Sequence, residues 1–205
     1  MTTGSQTFGI AIPENWMEYD LGGDTLAERR AEMLRQTPDK PTRDAVNQAF
    51  RNARRIMEGA RRRGAVYAAG TTTMYEDGLL MAGLMIFSIT PPPGEDFSAH
   101  GLAKQFSASG DRKGEGTART FTTETLPGTG PVGRLVGIEE SEITDGVSYK
   151  LVVMHTVVPV PDSRRVLIIT CFSPNLPVAD QLYDLFDAIT GTFAFGDQAP
   201  VVAAR

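Results

Sequence analysis

Hydrophobic residues recur along this chain at two different periods, and the change of period divides it into elements. Phe8 to Ile12 and Trp16 to Leu21 read as short strands joined around Pro13, Glu14 and Asn15, where proline and asparagine favour a turn. The period then lengthens. Asp24 is placed to cap a helix over Thr25 to Gln36, and Thr42 to cap a second helix ending near Gly64. In the second helix Val46, Ala49, Phe50, Ala53, Ile56, Met57 and Ala60 recur at spacings of three and four. That places them on one face of a 3.6-residue helix and predicts that the face packs inward.

After Gly64 the pattern becomes that of strands. Ala65 to Tyr75 and Leu79 to Ile89 flank Glu76, Asp77 and Gly78, an acidic turn closed by glycine, which predicts an antiparallel hairpin. Pro91, Pro92, Pro93 and Gly94 stop the second strand, and Phe97 to Phe106 reads as a short helix. Ser107 to Gly130 is rich in Gly, Ser and Thr and is expected to be a mobile loop region, with an edge strand over Thr120 to Thr125. Gly133 to Ile143, Val147 to Val160 and Arg164 to Phe172 then form a predicted three-strand meander. Val166 to Phe172 is apolar at odd and even positions alike, so this strand is expected to be covered on both faces. Val178, Leu182, Leu185, Phe186 and Ile189 supply one covering stripe opposite Asp180, Asp184 and Asp187, and the helix after Thr42 supplies the other. The fold class that follows is α+β, an antiparallel sheet flanked by helices in three layers, α/β/α.

This order of elements resembles the PsbP/Mog-like α/β/α sandwich family. The likeness rests on Ile12-Pro13-Glu14-Asn15-Trp16, similar to the family's opening P-x-x-W turn. It rests also on Phe172-Ser173-Pro174-Asn175 leading into Asp184 to Phe193, similar to its closing strand, helix and terminal Phe. The resemblance implies a single domain over residues 1–196, with a basic helical insertion at 24–64 and a flexible C-terminal tail at 197–205. It also implies the company of assembly factors, small-GTPase binders, secretion-effector chaperones and exported lipoproteins, mostly without enzymatic activity. Thr25 to Arg63 and Ser107 to Gly130 depart from the family pattern.

Composition narrows this picture in three ways. Hydrophobic residues make up 41% and charged residues 22% of the 205, enough apolar content for a core, so wholesale disorder is not expected. Met1 to Ala11 lacks a cationic start and a long apolar run, and Cys171 is the single cysteine, so a cytoplasmic, reducing location is expected. Net charge is −5, but unevenly spread: Thr25 to Arg63 carries eleven Lys and Arg against five Asp and Glu, and the rest of the chain nine against twenty. A general nucleic-acid binder is disfavoured by the total. A docking surface for an acidic partner is favoured by the local excess, with Arg51, Arg54, Arg55, Arg61, Arg62 and Arg63 as the candidate contact residues.

No catalytic constellation emerges. Gly128, Gly130 and Gly133 spell G-x-G-x-x-G, but Pro131 and a strand pattern follow where a phosphate-binding helix would have to begin, so a glycine-rich turn is expected and no cofactor. Two histidines, His100 and His155, and Cys171 in a β-core pattern offer neither a nucleophile signature nor a metal-ligand set. Glu139, Glu140 and Glu142 with Asp145 read as a solvated edge, because Glu139 points away from the other two glutamates in a strand. Met57, Met74, Met81, Met85 and Met154 fit core filling and, as the alternative, an adaptable apolar groove. The expected function is a non-enzymatic intracellular adaptor or chaperone that binds another protein bearing an acidic or apolar segment, linked to a secretion or assembly system. The alternatives are a phosphate- or nucleic-acid-binding module using the arginine-rich helix, and a small-ligand-binding protein.

Overall fold

The computed structural model describes residues 7–22, 24–36, 39–75, 78–102, 119–144 and 147–196. In chain order these form β1 (Phe8–Gly9), β2 (Met17–Glu18), α1 (Asp24–Gln36), α2 (Lys40–Arg62), β3 (Ala65–Tyr75), β4 (Gly78–Ile89), β5 (Arg119–Leu126), β6 (Gly130–Thr144), β7 (Val147–Pro159), β8 (Val166–Ser173), a 3-10 turn at Leu176–Val178, α3 (Ala179–Thr190) and β9 (Ala194–Phe195). Residues 99–102 are also helical; the rest of the helix expected to Phe106 lies outside the described residues, as does the tail at 197–205. Seven strands build one antiparallel sheet in the order β2-β3-β4-β8-β7-β6-β5, and β1 pairs with β9 in a separate ribbon.

The nearly continuous apolar run of β8 accompanies full burial of its α3-facing side and half-burial of the other. It lies between β4 and β7, and its register sends Leu167, Ile169 and Cys171 to the same side as Leu84 and Ile86 of β4 and Met154 and Val158 of β7. All of these are buried, and α3 closes that side with Leu182, Phe186 and Ile189. The α1–α2 hairpin stands on the other side, where Val46 and Ala60 of α2 are buried. The arrangement is the sheet flanked by helices that the pattern predicts.

Several expectations need correction. Phe8 to Ile12 and Trp16 to Leu21 do not form a hairpin with each other. β1 pairs with β9, Phe8 opposite Phe195, and β2 pairs with β3, Met17 opposite Gly70. The turn itself is present, closed by Trp16 N donating to Pro13 O at 2.9 Å, but its purpose is to drop the Trp16 ring into the core. Phe193 decides where β1 goes: its ring stacks on Phe8 at 5.6 Å and meets Phe195 edge-on at 5.1 Å, which ties the two ends of the fold together. The helix cap also moves. Asp39, not Thr42, caps α2, its Oδ1 accepting from Thr42 N at 2.9 Å, while Pro41 fills the first turn where no N–H is needed. Those hydrogen bonds from Thr42 hold the Asp39 carboxyl below its ordinary range. The edge strand expected over Thr120 to Thr125 is present and extends from Arg119 to Leu126, paired with β6 along its length. Its polar alternation, Thr120, Thr122, Glu124, is that of an edge strand with exposed positions; residues 107–118 lie outside the described residues.

Two polar side chains join elements that the backbone alone leaves apart. Arg134 of β6 is only 8% exposed, yet its guanidinium reaches α3, pairing with Asp187 and donating from Nη2 to Thr190 Oγ1 at 3.1 Å. Asp187 keeps the exposed position expected of it on the helix and meets the Arg134 guanidinium from there. Asn175, just after β8, acts as a substitute peptide for β4: its Oδ1 accepts from Met81 N at 2.9 Å and its Nδ2 donates to Leu79 O at 2.7 Å. Ser173 Oγ adds a bond to Met81 O at 2.6 Å. The Phe172-Ser173-Pro174-Asn175 run therefore continues the pairing of β4 beyond the end of β8.

Asn175→Asp keeps an acceptor for Met81 N but sets a carboxylate against Leu79 O. It is expected to cost about 0.5–1.5 kcal/mol, the usual net worth of a hydrogen bond, with an unchanged denaturant slope. Urea unfolding measures this; a midpoint equal to the parent's would refute the splice.

Candidate functional site

The hairpin covers its side of the sheet less completely than α3 covers the other, and the gap is a groove. At its floor Gly70 of β3 lies opposite Gly83 of β4, and Gly83 lies opposite Phe172 of β8. Neither glycine has room for a side chain. A Cβ at Gly83 would stand 2.6 Å from Phe172 Cζ, and one at Gly70 would stand 2.8 Å from Ala82 O and 3.2 Å from Tyr19 Cε2. The absent side chains let the Phe172 ring lie across β4 and leave a trough between sheet and helices. It has a volume of about 580 Å³, with Leu26 of α1 and Ile56 and Met57 of α2 forming its upper wall.

Methionines supply much of the remaining lining. Met81 and Met85 of β4 enter from the sheet and Met57 from α2, so three of the five methionines singled out in the sequence converge here. Met154 faces the opposite side and is buried under α3, and the side chain of Met74 lies outside those described. Met81 at 42% and Ile56 at 46% exposure make the groove accessible from solvent. Flexible thioethers over a glycine floor form a surface that repacks around differing apolar shapes.

The six candidate arginines, Arg51, Arg54, Arg55, Arg61, Arg62 and Arg63, are all exposed on or just after α2, but they do not form one patch. With Ile56 and Met57 marking the groove side, Arg54 and Arg61 stand three residues before and four after Met57, and Arg63 seven after Ile56. These border the groove-lining stripe. Arg51, Arg55 and Arg62 fall on the far side of the helix. Arg54 pairs with Glu58 at 2.8 Å and Arg51 donates to Gln48 at 2.7 Å. The other four have no ion-pair partner among the described residues.

Beside the groove a polar row crosses four strands on the same face. Arg119 Nη2 lies 3.1 Å from Glu139 Oε1, His155 Nε2 lies 3.4 Å from the same oxygen, and His155 Nδ1 shares a hydrogen bond of 2.9 Å with Thr170 Oγ1. The row adjoins the groove, since Glu139 is opposite Leu151 and Thr170 opposite Met85, both groove-lining. Glu139 is therefore not the solvated edge residue expected; the hydrogen bond from His155, then the charges of His155 and Arg119, hold its carboxyl below its ordinary range against partial burial. The sequence offered no signal for this meeting, because its members lie on separate strands and only the register brings them together.

The other candidates do not assemble. Cys171 follows Thr170 and so points to the α3 side, away from His155; burial pushes its thiol well up, with Arg134 opposing weakly. His100 sits exposed in the 99–102 segment. Gly128 and Gly130 take positive φ angles of 70° and 95° in the turn into β6, and Gly133 is within that strand, so no helix N-terminus faces the G-x-G-x-x-G run. Glu140 points to the opposite face from Glu139, and the side chain of Glu142 and residue Asp145 lie outside those described. Among the described residues no three His, Cys, Asp or Glu side chains converge as a metal site, and no helix is long and apolar enough to cross a membrane.

A carboxylate with a depressed pKa stabilises the fold above its ordinary value of 4.5 and loses that contribution as pH falls through the lowered value. Glu139→Gln is thus expected to be less stable than the parent at about pH 6 and to converge with it towards about pH 3. Urea midpoints across that range test it; a stability gap independent of pH would contradict the assignment.

No family model matches the chain, and no curated protein does. Among solved structures it is similar to one described as the crystal structure of LpqN involved in cell envelope biogenesis of Mycobacterium tuberculosis, at 13% identity over 95% of this chain and 86% of that one, with a TM-score of 0.46. At that distance no residue of one protein carries its role to the other.

Proposed function

We propose that the protein is a non-enzymatic adaptor or chaperone that holds an apolar segment of another protein in the groove between the α1–α2 hairpin and the sheet. The observation that carries this is the groove itself. It is floored by Gly70 and Gly83, walled by Met57, Met81, Met85 and Phe172, and open to solvent at Ile56 and Met81. Three thioethers on one surface favour an occupant whose shape varies, which is the situation of a peptide binder. The Cys171 thiol is buried on the α3 side and supplies no nucleophile to the groove.

The resemblance to the PsbP/Mog-like family belongs to this reading, supported by the burial of Trp16 behind its turn and of Phe193 at the closing end. The reading places the protein in the cytoplasm, serving a secretion or assembly system. A volume of about 580 Å³ is also within the range of small-molecule pockets, roughly 300–1,000 Å³, so a small apolar ligand is the second reading.

A photo-crosslinking amino acid in place of Met81 separates the two. Irradiated in cells, it is expected to join a defined apolar peptide of another protein, identified by mass spectrometry, and to lose that product when Thr72→Trp fills the exposed rim of the groove. Recovery of only a small-molecule adduct, or a protein adduct indifferent to Thr72→Trp, would remove the adaptor reading.

A further inference from the structure

The chemistry of the segment that fits this groove is set by the charges at its border. Met17 of β2 lies opposite Gly70 on the groove floor, and its sulfur accepts from Arg29 Nη2 of α1 at 3.2 Å. That contact places a guanidinium at the β2 rim, where a thioether is a weak acceptor and leaves most of its hydrogen-bonding capacity unused. Along α2, Arg61 and Arg63 border the stripe that carries Met57 and Ile56. The hairpin's own carboxylates are largely committed. Glu32 pairs with Arg35, Asp44 with Lys40, Glu58 with Arg54, and Asp39 caps α2. Arg29, Arg61 and Arg63 therefore have no carboxylate partner among the described residues.

Resting on the groove as the binding site, we infer that its occupant is an acidic amphipathic helix of a partner protein. The apolar side of the helix lies against Met57, Met81, Met85 and Phe172, and its carboxylates reach Arg29, Arg61 and Arg63. Helix-in-groove recognition has this form: anchors at i, i+3, i+4 and i+7 enter the apolar surface, and the flanking polar positions meet the rim. Guanidinium groups suit the rim because they take carboxylates through two parallel hydrogen bonds. A basic or neutral helix would leave three cations facing its flanks unpaired, so the same surface discriminates by charge as well as by shape. Arg51, Arg55 and Arg62, on the far side of α2, contribute to the encounter through the field of the helix and not to the bound contact.

Two synthetic peptides of about four helical turns, sharing Leu and Met at the anchor positions and carrying either Glu or Lys elsewhere, test this by fluorescence anisotropy. The Glu peptide is expected to bind at least about tenfold tighter than the Lys peptide. Arg29→Gln with Arg61→Gln should weaken it about tenfold, and Arg51→Gln with Arg55→Gln less than about threefold. Both double variants should melt within a few degrees of the parent, because exposed ion pairs contribute only about 0–1 kcal/mol each. Equal binding of the two peptides, or equal losses in the two double variants, would overturn the inference. So would displacement of the Glu peptide by palmitate at equal concentration, which would assign the groove to a small anionic amphiphile. Thr72→Trp keeps the two levels apart. If it leaves Glu-peptide binding intact, the groove is not the site and both readings fall. If it abolishes binding while the peptides bind equally, the groove stands and only the charge preference is lost.

Discussion

The fold is organised around β8, whose α3-facing side is buried and whose other side is half-buried. A strand whose only polar residues are Thr170 and Ser173 favours cover on both faces, so the sheet around it takes helices above and below. On one side the requirement is met fully: α3 presses Leu182, Phe186 and Ile189 onto β4, β8 and β7. The other side receives the α1–α2 hairpin, which lies between β2 and β3 in the chain and reaches the sheet through few buried side chains, Val46 and Ala60 among them. Phe172, at the carboxyl end of β8, lies where that cover is thinnest. The glycines Gly70 and Gly83 let its ring settle across the sheet instead of being capped by a helix, and the groove is the result.

Polar side chains are used to hold the layers where apolar contact is not sufficient. The buried stem of Arg134 brings its guanidinium to an exposed Asp187 and to the buried Thr190 hydroxyl, contacts that fix which part of α3 faces β6. Thr156, opposite Arg134 on β7, has its hydroxyl buried without a hydrogen-bond partner, and so does Arg134 Nε; both are costs accepted at this contact. Asn175 solves a different problem, supplying β4 with peptide-like bonds where β8 has ended. Asn175 and Ser173 thereby hold the part of β4 that carries the groove-lining Met81.

Charge follows the same division of layers. α2 carries seven Lys and Arg against two acidic residues, whereas α3 on the opposite side has three Asp and no cation. The helices on the two sides of the sheet therefore differ in the sign of their charge, basic over the groove and acidic on the closed side.

The sequence by itself determined the elements and the layers. The double-sided apolar run of β8, the three-strand meander and the stripe of α3 are local patterns, and local patterns report which residues must be buried without reference to distant parts of the chain. It also singled out the methionines, three of which line the groove, and the exposed arginines of α2, because their types and spacing are visible one helix or strand at a time. Tertiary structure alone decided their grouping. Phe8 chose β9 over Trp16's strand because Phe193 offered a ring to stack on, a partner 185 positions away that no window along the chain contains. Met57 meets Met81 and Met85 only because α2 folds back over β4, and Arg119, Glu139 and His155 meet only through the register of β5, β6 and β7. The same helix that the sequence marks as uniformly basic is divided by its position on the sheet into a groove border and an outward face. Helical periodicity sets the angle between those sides, but which side meets the protein is fixed by packing between elements that are remote in sequence.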